Sequence, residues 1–148
     1  LDLLNPKIDL NLSDSNWRIY SRTDGMPPQY ISESAKVENS LVTEGCEIYG
    51  NIDYSILFNN VTVEEGATVD YSLIMPGAVI KKGANVRYAI IAENAVIEEN
   101  ADIGGDPAVV GTDDWGITVI GANLNVGKNA KVSANKMIVK DVLEGETI

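Results

Sequence analysis

Glycine or asparagine returns at nearly regular steps along most of this 148-residue chain, each time three places after an aliphatic residue. The aliphatic positions are Val42, Leu57, Val63, Ile74, Ile80, Ile91, Ile97, Ile120, Val126 and Val132. Three places after them come Gly45, Asn60, Gly66, Gly77, Gly83, Asn94, Asn100, Asn123, Asn129 and Asn135. Gly and Asn are the residues that most readily accept a left-handed backbone, so a tight corner recurs at that place. The residue after each corner is small or apolar (Cys46, Val61, Ala67, Ala78, Ala84, Ala95, Ala101, Leu124, Ala130), Lys136 excepted. Each unit therefore reads as a short strand, a corner and an inward-facing residue. Helical repeats would need an uninterrupted 3.6-residue apolar period, which such frequent Gly and Asn break.

The units group into a longer period. Leu57, Ile74 and Ile91 recur at a step of seventeen, as do Val63, Ile80 and Ile97, and Val69, Val86 and Ile103. Seventeen is two six-residue sides and one of five, a triangular coil, and stacked coils bury one continuous apolar column. The fold class expected is all-β, a left-handed parallel β-helix. The handedness comes from the hexapeptide pattern's association, against the usual right-handed crossover. Tyr54, Tyr71 and Tyr88 recur at the same step and should stack as a ladder on one face, packing aromatic on aromatic. The step from Val42 to Leu57 is only fifteen, so one side near Ile48 to Ile52 is short, and the units at Ile31 and Val37 are less regular.

Three stretches leave the period. Residues 1–30 hold Trp17, Tyr20, Tyr30 and Pro27-Pro28 and read as an extended linker or interface segment; the β-helix domain is expected over 31–148. Residues 104–116 read as a protruding loop insertion. The tail from Val139 to Ile148 should cap the open end, which would otherwise expose strand edges.

Net charge is -11 and the sequence pI is near 4.3, which disfavours nucleic acid and anionic membrane as partners. No apolar run is long enough to span a bilayer. A single cysteine, Cys46, fits a reducing, cytoplasmic setting, and its place after a corner predicts burial. The chain begins at Leu1, which suggests a piece of something longer.

Several stretches together resemble the C-terminal domain of bacterial ADP-glucose pyrophosphorylase, also called glucose-1-phosphate adenylyltransferase. They are Asn11-Leu12-Ser13-Asp14-Ser15-Asn16-Trp17-Arg18-Ile19-Tyr20-Ser21, Met26-Pro27-Pro28-Gln29-Tyr30-Ile31, Asn39-Ser40-Leu41-Val42-Thr43-Glu44-Gly45-Cys46, Ser55-Ile56-Leu57-Phe58 and Ser72-Leu73-Ile74-Met75-Pro76-Gly77. The resemblance covers about residues 5–103 strongly and the rest loosely. It implies a parent enzyme that makes ADP-glucose from ATP and glucose 1-phosphate with Mg2+, for glycogen synthesis. In that family the β-helix packs on the catalytic domain, helps build a homotetramer and takes part in regulation by small, mostly anionic metabolites. The fragment itself carries no phosphate-binding loop: Gly104-Gly105-Asp106-Pro107 lacks both the basic residue and the strand–loop–helix setting. It should have no catalytic or metal-binding residues and no cofactor of its own.

Anionic effectors call for Lys or Arg. Arg18 and Arg22, in the linker near the domain junction, are the candidate allosteric residues. Some enteric relatives place arginines where this chain has Glu93 and Ala122, which counts against a sugar-bisphosphate site of their kind. The expected partners are the parent's own catalytic domain, further subunits of a homo-oligomer and a small anionic metabolite. A hexapeptide acyltransferase or a zinc-dependent carbonic anhydrase shares the architecture, but the usual versions of both need histidine, and this chain has none. The β-helix of another sugar-nucleotide pyrophosphorylase, of a non-catalytic paralogous subunit, or a purely structural solenoid remain as alternatives. Linker aromatics such as Trp17 should be protected from water, either by self-association or by folding back over Ile31 and Val37.

Overall fold

In the computed structural model the chain winds into a triangular parallel β-helix. The structure describes residues 1–8, 12, 14–18, 20, 25–113 and 115–148. Three parallel sheets, each of six short strands, form the faces, and successive strands pass from the first face to the second, the third and back again. The first face runs Tyr30–Ile31, Glu47–Ile48, Thr62–Val63, Val79–Ile80, Val96–Ile97, Asn125–Val126. The second runs Val37–Glu38, Asn51–Asp53, Thr68–Asp70, Asn85–Arg87, Asp102–Gly104, Lys131–Val132. The third runs Leu41–Val42, Ile56–Leu57, Leu73–Ile74, Ala89–Ile91, Thr118–Ile120, Met137–Ile138.

The repeat period is the register itself: Thr62 pairs with Val79 and Val79 with Val96, and likewise Val69 with Val86 and Val86 with Ile103. Equal positions of successive coils therefore stack, and Ile48, Val63, Ile80, Ile97 and Val126 form one buried column on the first face. Each such side chain contributes about 1.5–3 kcal/mol by leaving water. All ten corner residues read from the repeat have positive φ, between 55° and 75°. Eight of the nine small or apolar residues that follow them are essentially fully buried; Leu124 is half-buried and packs against the core. Cys46 is among the buried eight, and its thiol donates to the Phe58 carbonyl at 3.0 Å.

The short coil lies where the spacing placed it. Between Ile48 and Asn51 the corner consists of Tyr49 and Gly50 alone, whereas the next coil uses Glu64 through Ala67. Glu47 consequently pairs with Thr62, two positions earlier than the regular step would bring it. Drawing the corner in brings Gly50 so close to the coil below that a Cβ would lie 2.5 Å from the Ala67 carbonyl oxygen.

The tail covers the open end, and it does so by beginning another coil, with Val142 on Val126 and Thr147 on Lys131, and Val142 enters the core. One expectation needs correction. Linker fold-back fails: Trp17 and Tyr20 are 80% and 86% exposed, and Ile31 at the open first coil is 45% exposed. The nearest part of the lead-in does brace the solenoid, for Gly45 donates its N–H to the Pro27 carbonyl at 2.7 Å.

Candidate functional site

The three faces differ outwardly. The first carries Glu64, Lys81 and Glu98, with Lys81 bound to Glu98 at 2.9 Å, and the second carries Asp53, Asp70, Arg87 and Asp102. The third is apolar along its whole length: Leu41, Ile56, Leu73, Ile90, Val119 and Met137 stand at equivalent places in six coils. Strand alternation sends Val42, Leu57, Ile74 and Ile91 inward and turns this second apolar column outward, where Ile56 is nonetheless buried and Leu73, Ile90 and Val119 are half-buried. Leu41 is 44% and Met137 73% exposed. Leu1 lies beside Leu73, Ile90 and Ile117, so the chain's own first residues occupy part of the face.

The corner from the second face to the third is built differently from the other two. In its first four passages it has only one or two residues between strands, and the first of them, Asn39, Tyr54, Tyr71 or Tyr88, has positive φ; in the fifth the insertion starts after Gly104, the register partner of Arg87, and in the sixth Asn135 makes a longer corner. A bulky residue at positive φ is rare and needs compensation. Hydroxyls supply part of it. Ser40, Ser55 and Ser72 follow the corner, and each Oγ donates to the carbonyl two residues back and accepts the N–H of the equivalent residue in the next coil, at 2.6–3.1 Å. Ser55 and Ser72 are fully buried and fully satisfied. Stacking supplies the rest: Tyr71 and Tyr88 are parallel within 4° at 4.8 Å, and Tyr54 lies 4.9 Å from Tyr71. Tyr71 has a ring against each of its faces, so the ladder reads as packing and not as a platform for a planar ligand. The serine column recurs at the same spacing and could have been read from the sequence beside the tyrosines.

The insertion begins at this corner. Gly104 ends a second-face strand, Pro107–Val110 form one helical turn capped by Asp106, and the third face resumes at Thr118. Coil-to-coil pairing bridges the insertion by joining Val96 to Asn125, and beside that pair the Asn94 side-chain amide donates to Asn123 at 3.3 Å. The loop protrudes, with Val109 84% exposed, but its far end is tied down. Trp115 packs edge-on against Tyr88 at 5.5 Å, extending the aromatic ladder by one ring, and its indole N–H donates to the Gly105 carbonyl at 2.7 Å. Between loop and second face lies an open groove of about 530 Å3, bordered by Arg87, Asp102, Val109, Val110, Lys131 and Val132 among others.

Of the two arginines singled out, Arg18 is exposed in the lead-in segment, and Arg22 lies outside the described residues. Among the described residues, no three His, Cys, Asp or Glu side chains converge as a metal site would require. Nor, among them, is any helix long and apolar enough to cross a membrane.

A family model described as GlmU-like, C-terminal hexapeptide, matches residues 28–120, the coils, the serine and tyrosine ladders and the insertion together. The chain belongs to that hexapeptide family. Within it, curated relatives include glucose-1-phosphate adenylyltransferases of Bacillus mycoides (strain KBAB4), 58% identical over 67 residues, and of Bacillus anthracis, 57% identical over 67 residues. Each match covers 45% of this chain and 18% of the relative, so the shared stretch spans less than a fifth of those enzymes. Among solved structures, the acetyltransferase domain of PglB from Neisseria gonorrhoeae FA1090, in complex with acetyl coenzyme A, is 21% identical to this hexapeptide chain. The likeness covers 82% of this chain and 51% of that one, with a TM-score of 0.36, and is too loose to bear on function.

Proposed function

We propose that this chain is the β-helix domain of a glucose-1-phosphate adenylyltransferase, and that its task there is to hold the enzyme's parts together and to take part in its regulation. The observation that carries this reading is the 58% identity to such enzymes, joined to an apolar third face. The size of that face suits the role. Six rungs about 4.8 Å apart and about 12 Å wide make a patch of roughly 300 Å2. A free-standing stable dimer needs about 800 Å2 per partner, whereas contacts between domains of one chain are often smaller. The third face therefore fits a neighbouring domain better than it fits a second copy acting alone. The exposed Trp17 and Tyr20 fit the same junction. Arg18 and Arg22 are proposed as contacts for a small anionic effector there. ATP, Mg2+ and glucose 1-phosphate would bind to the enzyme's catalytic part, in the cytoplasm, and the product would serve glycogen synthesis.

The test is an assay of pyrophosphate release from ATP and glucose 1-phosphate with Mg2+, run on the full-length gene product and on the 148-residue chain. Turnover by the former and none by the latter is expected. Ile90→Glu on the third face of the full-length protein should lower activity and disturb its oligomeric state in size-exclusion chromatography with light scattering. Val79→Glu on the first face should do neither. Turnover by this chain alone, or a full-length protein without adenylyltransferase activity, would overturn the reading.

A further inference from the structure

The corners from the first face to the second carry a row of charges whose sign changes at every coil. Glu65, Lys82, Glu99, Lys128 and Glu144 each stand just before the corner glycine or asparagine. Their backbones stack one coil on the next: the N–H groups of Gly83, Asn100, Asn129 and Gly145 donate to the carbonyls of Glu65, Lys82, Glu99 and Lys128, at 2.8–3.3 Å. Lys82 reaches Glu65 at 3.5 Å and Lys128 reaches Glu99 at 2.8 Å. In the neighbouring column Lys81 donates to both oxygens of Glu98, at 3.0 and 2.9 Å. Glu99 and Lys128 each feel both neighbours. A hydrogen bond from Lys128, then its charge, holds the Glu99 carboxyl below the ordinary carboxylate range, and Lys81 and Lys82 on the preceding coil add to it. Hydrogen bonding to Glu99, then its charge, raises Lys128 above the usual lysine value, with Glu98 and Glu144 adding. Single surface ion pairs contribute little, but a row in which each inner charge lies between two of opposite sign acts as a network.

The row crosses the insertion. Elsewhere a short corner tethers each strand to the one before and sets the coil in its place. Between Gly104 and Thr118 a loop replaces that tether, and residues 118–148 must find their coil by contact. Burial alone does not choose it. The inward residues are aliphatic at every coil, Val63, Ile80 and Ile97 on the first face and Val69, Val86 and Ile103 on the second, so the apolar column looks alike one step up or down. The charges differ from step to step. Lys128 meets Glu99 in the native register, and one coil earlier it would meet Lys82. Like charges brought together oppose docking there.

We propose that this alternating row is a register key and a salt-sensitive clasp, which docks residues 118–148 on the coil carrying Glu99 and lets that block loosen before the rest of the solenoid as ionic strength rises. The device belongs to the 148-residue chain and stands apart from the adenylyltransferase reading. The test is amide hydrogen exchange on that chain, comparing Val126 and Val132 after the insertion with Val63 and Val86 before it. In low salt Lys128→Glu should speed exchange after the insertion about three- to tenfold, the size expected when several surface attractions become repulsions, and leave Val63 and Val86 unchanged. At about 1 M salt, where charges are screened over about 3 Å, most of that difference should vanish, and the parent's exchange after the insertion should rise relative to that before it. Lys36→Gln, at a separate surface ion pair, should change neither. Glu144→Lys tells a row from separate pairs. It should speed exchange after the insertion in the parent, where it faces Lys128, and slow it in the Glu99→Lys, Lys128→Glu double variant, where it restores the alternation. Lys128 and Glu144 are exposed, so these variants keep the fold. An unchanged rate in Lys128→Glu, equal acceleration on both sides of the insertion, a difference that persists at high salt, or Glu144→Lys acting with the same sign in both backgrounds overturns the proposal.

Discussion

Two kinds of corner turn the same solenoid, and they reach the same backbone conformation by different means. At the corners from third face to first and from first to second, positive φ falls on residues such as Gly66, Gly83, Asn94 and Asn100, which accept it with little strain. At the corner from second face to third it falls on Tyr54, Tyr71 and Tyr88, which do not. There the conformation is held by what stacks above and below: one ring on the next, and one serine hydroxyl on the next N–H. The first kind of corner is a local property of the residue. The second exists only once neighbouring coils are in place, so its stability is cooperative along the axis.

The sharpest way to break that contrast is at Gly104, the last strand residue before the insertion and the register partner of Arg87, next to the tyrosine corner. A Cβ there would overlap the Arg87 carbonyl oxygen, and φ is +78°. Gly104→Val should cost about 3–5 kcal/mol, the strain of the backbone added to that of overpacking. Gly66→Val, where the nearest atom to a new Cβ is 3.9 Å away, should cost only the conformational part, about 1–2 kcal/mol. Gly66→Asn should be milder still. Gly66 isolates this effect better than Gly83, where an added Cβ meets the Asn100 amide at 2.5 Å. Denaturant melts that rank the two valine variants equally would show that crowding at the ladder corner does not matter.

A smaller effect separates stacking from backbone strain. Tyr71→Ala loses two aromatic contacts, about 1–3 kcal/mol in all, while keeping a side chain at positive φ. Tyr71→Gly loses the same contacts but relieves the strain, and should be the more stable of the two by about 1 kcal/mol. Equal midpoints for Ala and Gly would mean that the corner is not strained.

The smallest effect is one of pH. Partial burial, then the facing Asp53 carboxylate, hold the Asp70 carboxyl above its usual 3.8, with Arg87 pulling the other way. Just above that value the folded chain keeps a proton that the unfolded chain has released, so Asp70 lowers stability as pH rises through the window. Asp70→Asn should therefore gain on the parent chain between acid and neutral pH, with a constant difference below the ordinary carboxylate range. Denaturation midpoints for the pair that stay parallel from pH 3 to 7 would remove the ladder's acidic flank from consideration.

The corner positions, the coil register, the short coil near Ile48 and the burial of Cys46 were legible in the sequence because each depends on a residue and its neighbours a fixed step away. Gly and Asn report backbone conformation directly, and alternation reports which side of a strand is inside. The tyrosine ladder was legible as a spacing. That its rings sit on strained corners, supported by a serine column, was not, because residue type alone argues against Tyr at positive φ. The third face escaped notice for a related reason. Inward and outward residues are both apolar there, as at Leu73-Ile74 and Ile90-Ile91, and alternation has no contrast to show.

By itself the sequence determined a repeating corner, a period and hence a stacked coil, since those follow from local conformational preference multiplied along the chain. Only the tertiary structure decided the rest. It placed the insertion at the tyrosine corner, brought Trp115 onto Tyr88, set Asp102 beside Arg87 and Lys131, and gathered six apolar residues, none adjacent in sequence, onto the outer side of one face. Such contacts join positions a whole coil apart, as Glu47 to Thr62 or, across the insertion, Val96 to Asn125, and only closure of the coil brings them together.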